Sequence, residues 1–256
     1  MEGSEKYLES AYAGKRCLVT GGASFIGSHL VEALYKMGSV VTVVDDFSSG
    51  RLSHLSEVVA RPQVKVVEAD LRYGFPRVIA NTDVDVVFHL AAVHGGRGYI
   101  DTYASAMFDN LIIDRTVMGW AAQSSGILIH ASSACAYPTY LQAAETDRAL
   151  LDEAAAGFDD PQQSFPDGTY GWVKLMGELQ AKTIAQSHGC RARSARIFTA
   201  YGERENESHA AIALIAKALL HMDPYPIWGT GQQTRNFTYV RDTVTGLLLL
   251  GSDDRQ

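Results

Sequence analysis

The stretch Arg16-Cys17-Leu18-Val19-Thr20-Gly21-Gly22-Ala23-Ser24-Phe25-Ile26-Gly27, followed by Ser28 to Met37, decides the fold. Its first five residues read as a short buried strand, its glycines as a tight turn, and the segment from Ser28 to Met37 as an amphipathic helix. That order is the context in which a dinucleotide pyrophosphate is bound. The glycines permit the turn, the helix N-terminus presents backbone amides, and Gly27 lets helix and strand pack closely. Gly21, Ser24, Phe25, Ile26 and Gly27 are the candidate contacts. Ser24 stands where the usual pattern has its middle glycine, so a β-carbon crowds the phosphate while the hydroxyl can cap the helix.

A second strand, Val40 to Val44, ends in Asp45-Asp46, where the ribose-binding acid of such a fold is expected. Asp45 is expected to accept the adenosine ribose hydroxyls, and its charge would repel a 2′-phosphate, which favours NAD over NADP. Arg51 is the nearby residue that would reverse this preference. Further strands at 64–68, 84–90, 126–131 and 191–197 alternate with helices at 105–123, 170–187 and 209–221. The pattern predicts an α/β fold, a doubly wound parallel sheet with ligands beyond the carboxyl ends of its strands. Asp45, Asp46, Asp70, Leu71, Leu90, Ala91, Ala92 and Ser133 all fall there. The polar segments 141–167 and 201 onward are expected to form a second lobe, dividing the chain into a dinucleotide-binding domain over 1–200 and a partial substrate lobe over 201–256.

The composition excludes several classes. A formal net charge of −7 over 256 residues argues against a nucleic-acid surface. No stretch of about 18 apolar residues occurs, and Met1-Glu2-Gly3-Ser4-Glu5-Lys6 is no signal peptide, so a cytoplasmic, non-membrane protein is expected. Cys17, Cys135 and Cys190 cannot complete a disulfide framework, and neither the cysteines nor the histidines have metal-ligand spacing.

In Tyr170-Gly171-Trp172-Val173-Lys174 the phenol and the ammonium are one helical turn apart, on one face. An unperturbed tyrosine has a pKa of about 10, so a neighbouring cation is what would make Tyr170 a usable base near neutrality.

These motifs, with His89-Leu90-Ala91-Ala92, Ser132-Ser133, Arg196 to Gly202 and Arg235 to Asp242, resemble the extended short-chain dehydrogenase/reductase family of NAD-dependent nucleotide-sugar epimerases and dehydratases. The resemblance spans nearly the whole chain. It implies a bound NAD, Tyr170 as base, Lys174 on the nicotinamide ribose, Ser133 on a sugar hydroxyl and Arg235 on the diphosphate of a nucleotide-sugar substrate. Thr199 departs from the pattern, since many members carry an asparagine there that bonds the substrate diphosphate. The chain also stops at Asp253-Asp254-Arg255-Gln256 where members usually continue, so a partial substrate lobe is expected. Trp120 and Trp172 lie on helices that pair subunits in related proteins, which implies a homodimer; core packing accounts for them equally well.

In an extended strand end, Ser133, Cys135 and Tyr137 project to one side. Ser-Ala-Cys-Ala-Tyr-Pro from Ser133 resembles the thiol motif of GDP-mannose 3,5-epimerases and GDP-fucose synthases, and His209 resembles the histidine that works with that cysteine in the latter. Once C4 of a sugar is a ketone, the protons on C3 and C5 are acidic, and inversion removes one from one face and returns it on the other. A thiol of pKa about 8.5 and an imidazole of about 6.5 suit those roles. Gly96 and Arg97, after the fourth strand, are candidates to shape the sugar pocket. The sequence thus reads as an NAD-dependent 3,5-epimerase of a GDP-mannose-like sugar. A 4-epimerase or 4-keto-sugar reductase, or a regulatory NAD-binding protein without turnover, are the alternatives.

Overall fold

A computed structural model describes residues 2–142, 151–227 and 236–253. Six parallel strands form one sheet in the order β3-β2-β1-β4-β5-β6: β1 (Arg16–Thr20), β2 (Val40–Asp45), β3 (Val64–Glu68), β4 (Val86–His89), β5 (Ile127–Ser133) and β6 (Arg191–Ile197). The order reverses between β1 and β4, which opens the ligand crevice at the carboxyl ends of those strands. The central strands are runs of valine, isoleucine and leucine because helices cover both of their faces.

One face is covered by α1 (Glu2–Tyr12), α2 (Phe25–Lys36) and α8 (Val240–Ser252), through Leu8, Tyr12, Leu30, Leu34, Leu247 and Leu248. The other carries α4 (Asp109–Ala121) and α6 (Gly168–His188), whose Ile113, Val117, Met118 and Ala181 pack on Leu18, Val87 and Leu128. The doubly wound sheet expected from the sequence is the fold observed.

Three differences have plain causes. Helix α1 escapes a reading that starts at the glycine motif; it is anchored by Tyr12, whose hydroxyl donates to the Leu248 carbonyl at 2.7 Å. The chain beyond residue 200 does not stay apart. After β7 (Thr199–Tyr201) pairs with β8 (Phe237–Tyr239) and α7 (Ala210–Leu219) intervenes, α8 returns to the main core through Val244, Leu247 and Leu248. Finally, β5 ends at Ser133 and residues Ala134–Ala136 make one 3₁₀ turn. The expected alternation of Ser133, Cys135 and Tyr137 therefore does not hold. Tyr137 is buried against Phe198 and under the Arg196 guanidinium, 4.8 Å from its ring centre.

Two short helices, α3 (Arg97–Thr102) and α5 (Thr139–Gln142), lie in the loops after β4 and β5. The Trp120 indole donates to the Ala80 carbonyl at 2.8 Å and stacks on Phe75 at 4.2 Å. Trp172 is exposed on α6. Among the described residues no helix is long and apolar enough to cross a membrane.

Candidate functional site

The cradle at the start of α2 is made of backbone that tolerates no side chain. A β-carbon on Gly27 would stand 2.1 Å from the Gly21 carbonyl oxygen, and one on Gly21, whose φ is +69°, would meet the Ala91 amide nitrogen at 2.8 Å. Ser24 precedes the helix but its hydroxyl makes no cap bond, contrary to the expectation, and lies 3.4 Å from the Ser49 hydroxyl instead. The amides of the first turn, at Phe25 and Ile26, are thus left to an outside acceptor, as a pyrophosphate requires. A dinucleotide fits this cradle.

Asp45 is 4% exposed and already serves the cradle. Its carboxylate accepts from the Ala23 amide at 2.8 Å and the Phe47 amide at 2.9 Å, bracing the glycine loop against β2. Burial raises its pKa, although those two amides oppose the shift. Each oxygen retains a second lone pair for a ribose hydroxyl. The neighbouring Asp46 faces an open cavity lined also by Ser48, Glu68, Ala69, Asp70 and Arg72. Arg72 is committed there: it pairs with Asp70 at 2.7 Å and Asp109 at 3.0 Å. Leu71 is buried beside it, while Leu90, Ala91 and Ala92 line the partly open end of β4. Arg51 is exposed; its amide donates to the Ala23 carbonyl.

Helix α6 lies very close to the end of β5 and to α4 because two of its three glycines face them. A β-carbon on Gly171 would meet the Cys135 carbonyl oxygen at 2.3 Å, and one on Gly177 the Asp114 carboxylate at 2.6 Å. This approach brings Tyr170, Lys174, Ser133 and Cys135 together. The Lys174 ammonium is 3% exposed, donates to the Ala131 carbonyl at 2.9 Å and stands 5.8 Å from the Tyr170 ring centre. The Ser133 hydroxyl accepts from the Cys135 amide at 3.2 Å.

The expected lowering of the Tyr170 pKa is opposed in this arrangement. Burial, then the neighbouring Cys135 and Asp114, push the phenol upward, and burial pulls Lys174 downward. The ammonium donates to the Ala131 carbonyl.

Beneath this pair lies a buried chain that the sequence did not reveal. His89 contacts the Thr20 hydroxyl at 2.7 Å and Asp114 at 3.0 Å, and His130 lies 3.8 Å from the other Asp114 oxygen; His89, Asp114 and His130 are each 1% exposed. Burial tends to raise Asp114, but the His89 hydrogen bond and the proximity of His130, His89 and Lys174 hold it below the usual carboxylate range. Burial pushes His130 down to about 3, so it is neutral. Thr20 also accepts from the Ala91 amide, which ties the chain to the cradle.

The other side of the cleft is built from loops and short helices. His209 precedes α7, and its ring lies against Gly96, where an added β-carbon would meet His209 Cδ2 at 3.6 Å. His94 is a ring-centre distance of 6.4 Å from His209, close enough to Lys174 to feel its charge. Arg97 does not reach freely into a pocket: it pairs with Asp101 at 2.9 Å and with Asp167, just before α6, at 2.6 Å. Thr199 begins β7, in register with Phe237. Arg235 lies outside the described residues. Behind Ser132, Glu178 receives its hydroxyl at 2.5 Å and pairs with Arg196 at 2.8 Å.

A family model described as the NAD dependent epimerase/dehydratase family matches residues 17–256. GDP-mannose 3,5-epimerase 1 of Oryza sativa subsp. indica is 31% identical over 246 residues, 93% of this chain and 62% of that protein. UDP-glucuronic acid decarboxylase 1 of Danio rerio is 30% identical over 238 residues, 92% of this chain and 54% of that protein. The solved UDP-glucuronic acid 4-epimerase from Bacillus cereus, in complex with UDP-glucuronic acid and NAD, superposes with a TM-score of 0.79 at 25% identity, covering 94% of this chain and 74% of that one. The chain thus spans less than two thirds of the length of these two curated relatives.

Proposed function

The chain belongs to the NAD-dependent epimerase/dehydratase family, and on that premise we propose that it inverts C3 and C5 of a nucleotide-linked hexose of the GDP-mannose kind, through a transient 4-keto sugar. NAD is the cofactor of this family and, when bound, supplies reversible oxidation at a sugar carbon. Gly21, Ser24, Phe25, Ile26 and Gly27 would hold its pyrophosphate, and Asp45 and Asp46 its adenosine ribose. Ser133 orients the C4 hydroxyl, and Tyr170 accepts its proton with Lys174 beside it. Cys135 and His209 then exchange protons at C3 and C5.

What supports this reading is a thiol beside Tyr170, Cys135, whose proximity adds to the rise in the phenol's pKa, together with an imidazole, His209, against Gly96 in the loop after β4. A 4-epimerase needs Ser133, Tyr170 and Lys174 but neither of those groups. That second reading draws support from the likeness to the 4-epimerase of Bacillus cereus.

Incubation of the holoenzyme with GDP-mannose in deuterated water separates the two. Thiols and imidazoles equilibrate with water, so deuterium at C3 or C5 is expected, and Cys135→Ser should suppress it roughly 100-fold. Inversion at C4 of a nucleotide sugar without carbon-bound deuterium would establish the 4-epimerase instead.

A further inference from the structure

We infer that Glu205 is a positioning residue for His209: its carboxylate takes the imidazole Nδ1–H, leaving Nε2 bare on the sugar side of the cleft. The Glu205 Oε1 to His209 Nδ1 distance is 3.1 Å, and the Glu205 side chain is only 1% exposed. A carboxylate can only accept a hydrogen bond, so the proton of this contact belongs to Nδ1, and a neutral ring then carries none on Nε2.

Two further observations agree. His209 Nε2 is buried without a hydrogen-bond partner among the described residues, as is the second Glu205 oxygen. Buried polar atoms are almost always paired, and an unpaired nitrogen beside a cleft is one that a ligand completes. The Cδ2 edge of the ring, next to Nε2, lies against Gly96, where an added β-carbon would stand 3.6 Å away.

The segment that carries Glu205 is itself fixed. Arg204, the residue before it, reaches back to α2, pairing with Glu32 at 2.6 Å and with the Ser28 hydroxyl at 3.1 Å. Its φ of +69° turns the chain sharply, so that Arg204 and Glu205 serve opposite sides. The same short loop thereby anchors to the dinucleotide-binding helix and orients the imidazole. A carboxylate behind an imidazole does two things in general: it selects the tautomer, and it makes the far nitrogen more basic.

The inference rests on the reading of His209 as an acid/base group, but its test does not need the substrate. In full-length protein saturated with NAD and labelled with ¹⁵N-histidine, the His209 signals are identified by their loss in His209→Asn. Long-range proton–nitrogen correlation is expected to show a protonated Nδ1 and a bare Nε2 in the neutral ring. Glu205→Gln removes the charge and keeps the shape, so the Nδ1–H proton resonance should move upfield as its hydrogen bond weakens. Glu205→Leu should lose the Nδ1–H signature. A proton on Nε2 in the unaltered protein, or an Nδ1–H resonance unchanged in Glu205→Gln, would overturn the inference. If the signature stands while the unaltered enzyme exchanges no hydrogen at C3 or C5 of GDP-mannose, the positioning of His209 is upheld and the 3,5-epimerase reading alone falls. If exchange is seen, Glu205→Gln should slow it about tenfold.

Discussion

The two sides of the cleft are made in different ways. On the cofactor side the critical contacts are backbone to backbone, at the ends of sheet strands: Gly27 against the Gly21 carbonyl, Gly21 against Ala91, Gly171 against the Cys135 carbonyl. On the other side they are side chain to side chain, in and around α3 and the loop before α7: Arg97 with Asp101 and Asp167, His209 with Glu205. Close-packed backbone cannot adjust to a new atom, whereas pairs of long side chains re-form with small movements. The first arrangement leaves little room to vary what it holds; the second can re-form around ligands of different shape.

The largest effect that would test this contrast is expected at Asp114, under the cofactor side. Asp114→Asn removes the anion that offsets the buried Lys174 and should cost about 3–5 kcal/mol of stability, read by denaturant unfolding. The pH dependence follows from the lowered pKa. Asp114 contributes stability above the ordinary carboxylate value of about 4, and this is lost as pH falls through its depressed value in the folded chain. The acid side of the stability curve should therefore be flatter in Asp114→Asn; an identical slope would mean the carboxylate is not held ionised by its neighbours.

Next comes a matched pair of glycines. Gly27→Ala should lose about 3 kcal/mol and most NAD affinity, because the nearest obstacle is a backbone oxygen. Gly96→Ala, whose closest neighbour is the Ser208 carbonyl oxygen at 3.4 Å, should stay within about 0.5 kcal/mol. Equal losses by thermal unfolding would erase the distinction between the two sides. The smallest effect concerns cofactor choice. Asp46, Glu68 and Asp70 line the ribose end, and Arg72 is already paired, so NAD should bind at least tenfold tighter than NADP, about 1.4 kcal/mol, by titration. Equal affinities would assign Arg51 to the 2′-phosphate.

Much of the cofactor side is legible in the chain itself. The valine-rich strands, the glycine turn before α2, Asp45 at the end of β2 and the Tyr170/Lys174 spacing are each short-range patterns, and strand or helix period together with turn chemistry decides them locally. What the patterns do not carry is direction. Ser133, Cys135 and Tyr137 alternate only if the strand continues, and the 3₁₀ turn at Ala134 turns Tyr137 into the core. A tyrosine one turn from a lysine invites a lowered pKa, yet burial sets the opposite sign, and burial belongs to the whole fold.

The sequence by itself therefore determined the layering of the sheet and the glycine turn before α2, because each depends on neighbours a few positions away. Only the tertiary structure decided which polar groups are paired. His89 with Asp114, Arg204 with Glu32, and His209 lying against Gly96 all join residues distant in the chain, brought together by the docking of helices and loops on the sheet. Glu205 and His209 are four residues apart, a spacing open to view, but they precede a helix rather than lie in one. The loop that carries them is tied to α2 by Arg204, and a carboxylate at Nδ1 is enough to set which imidazole nitrogen holds the proton.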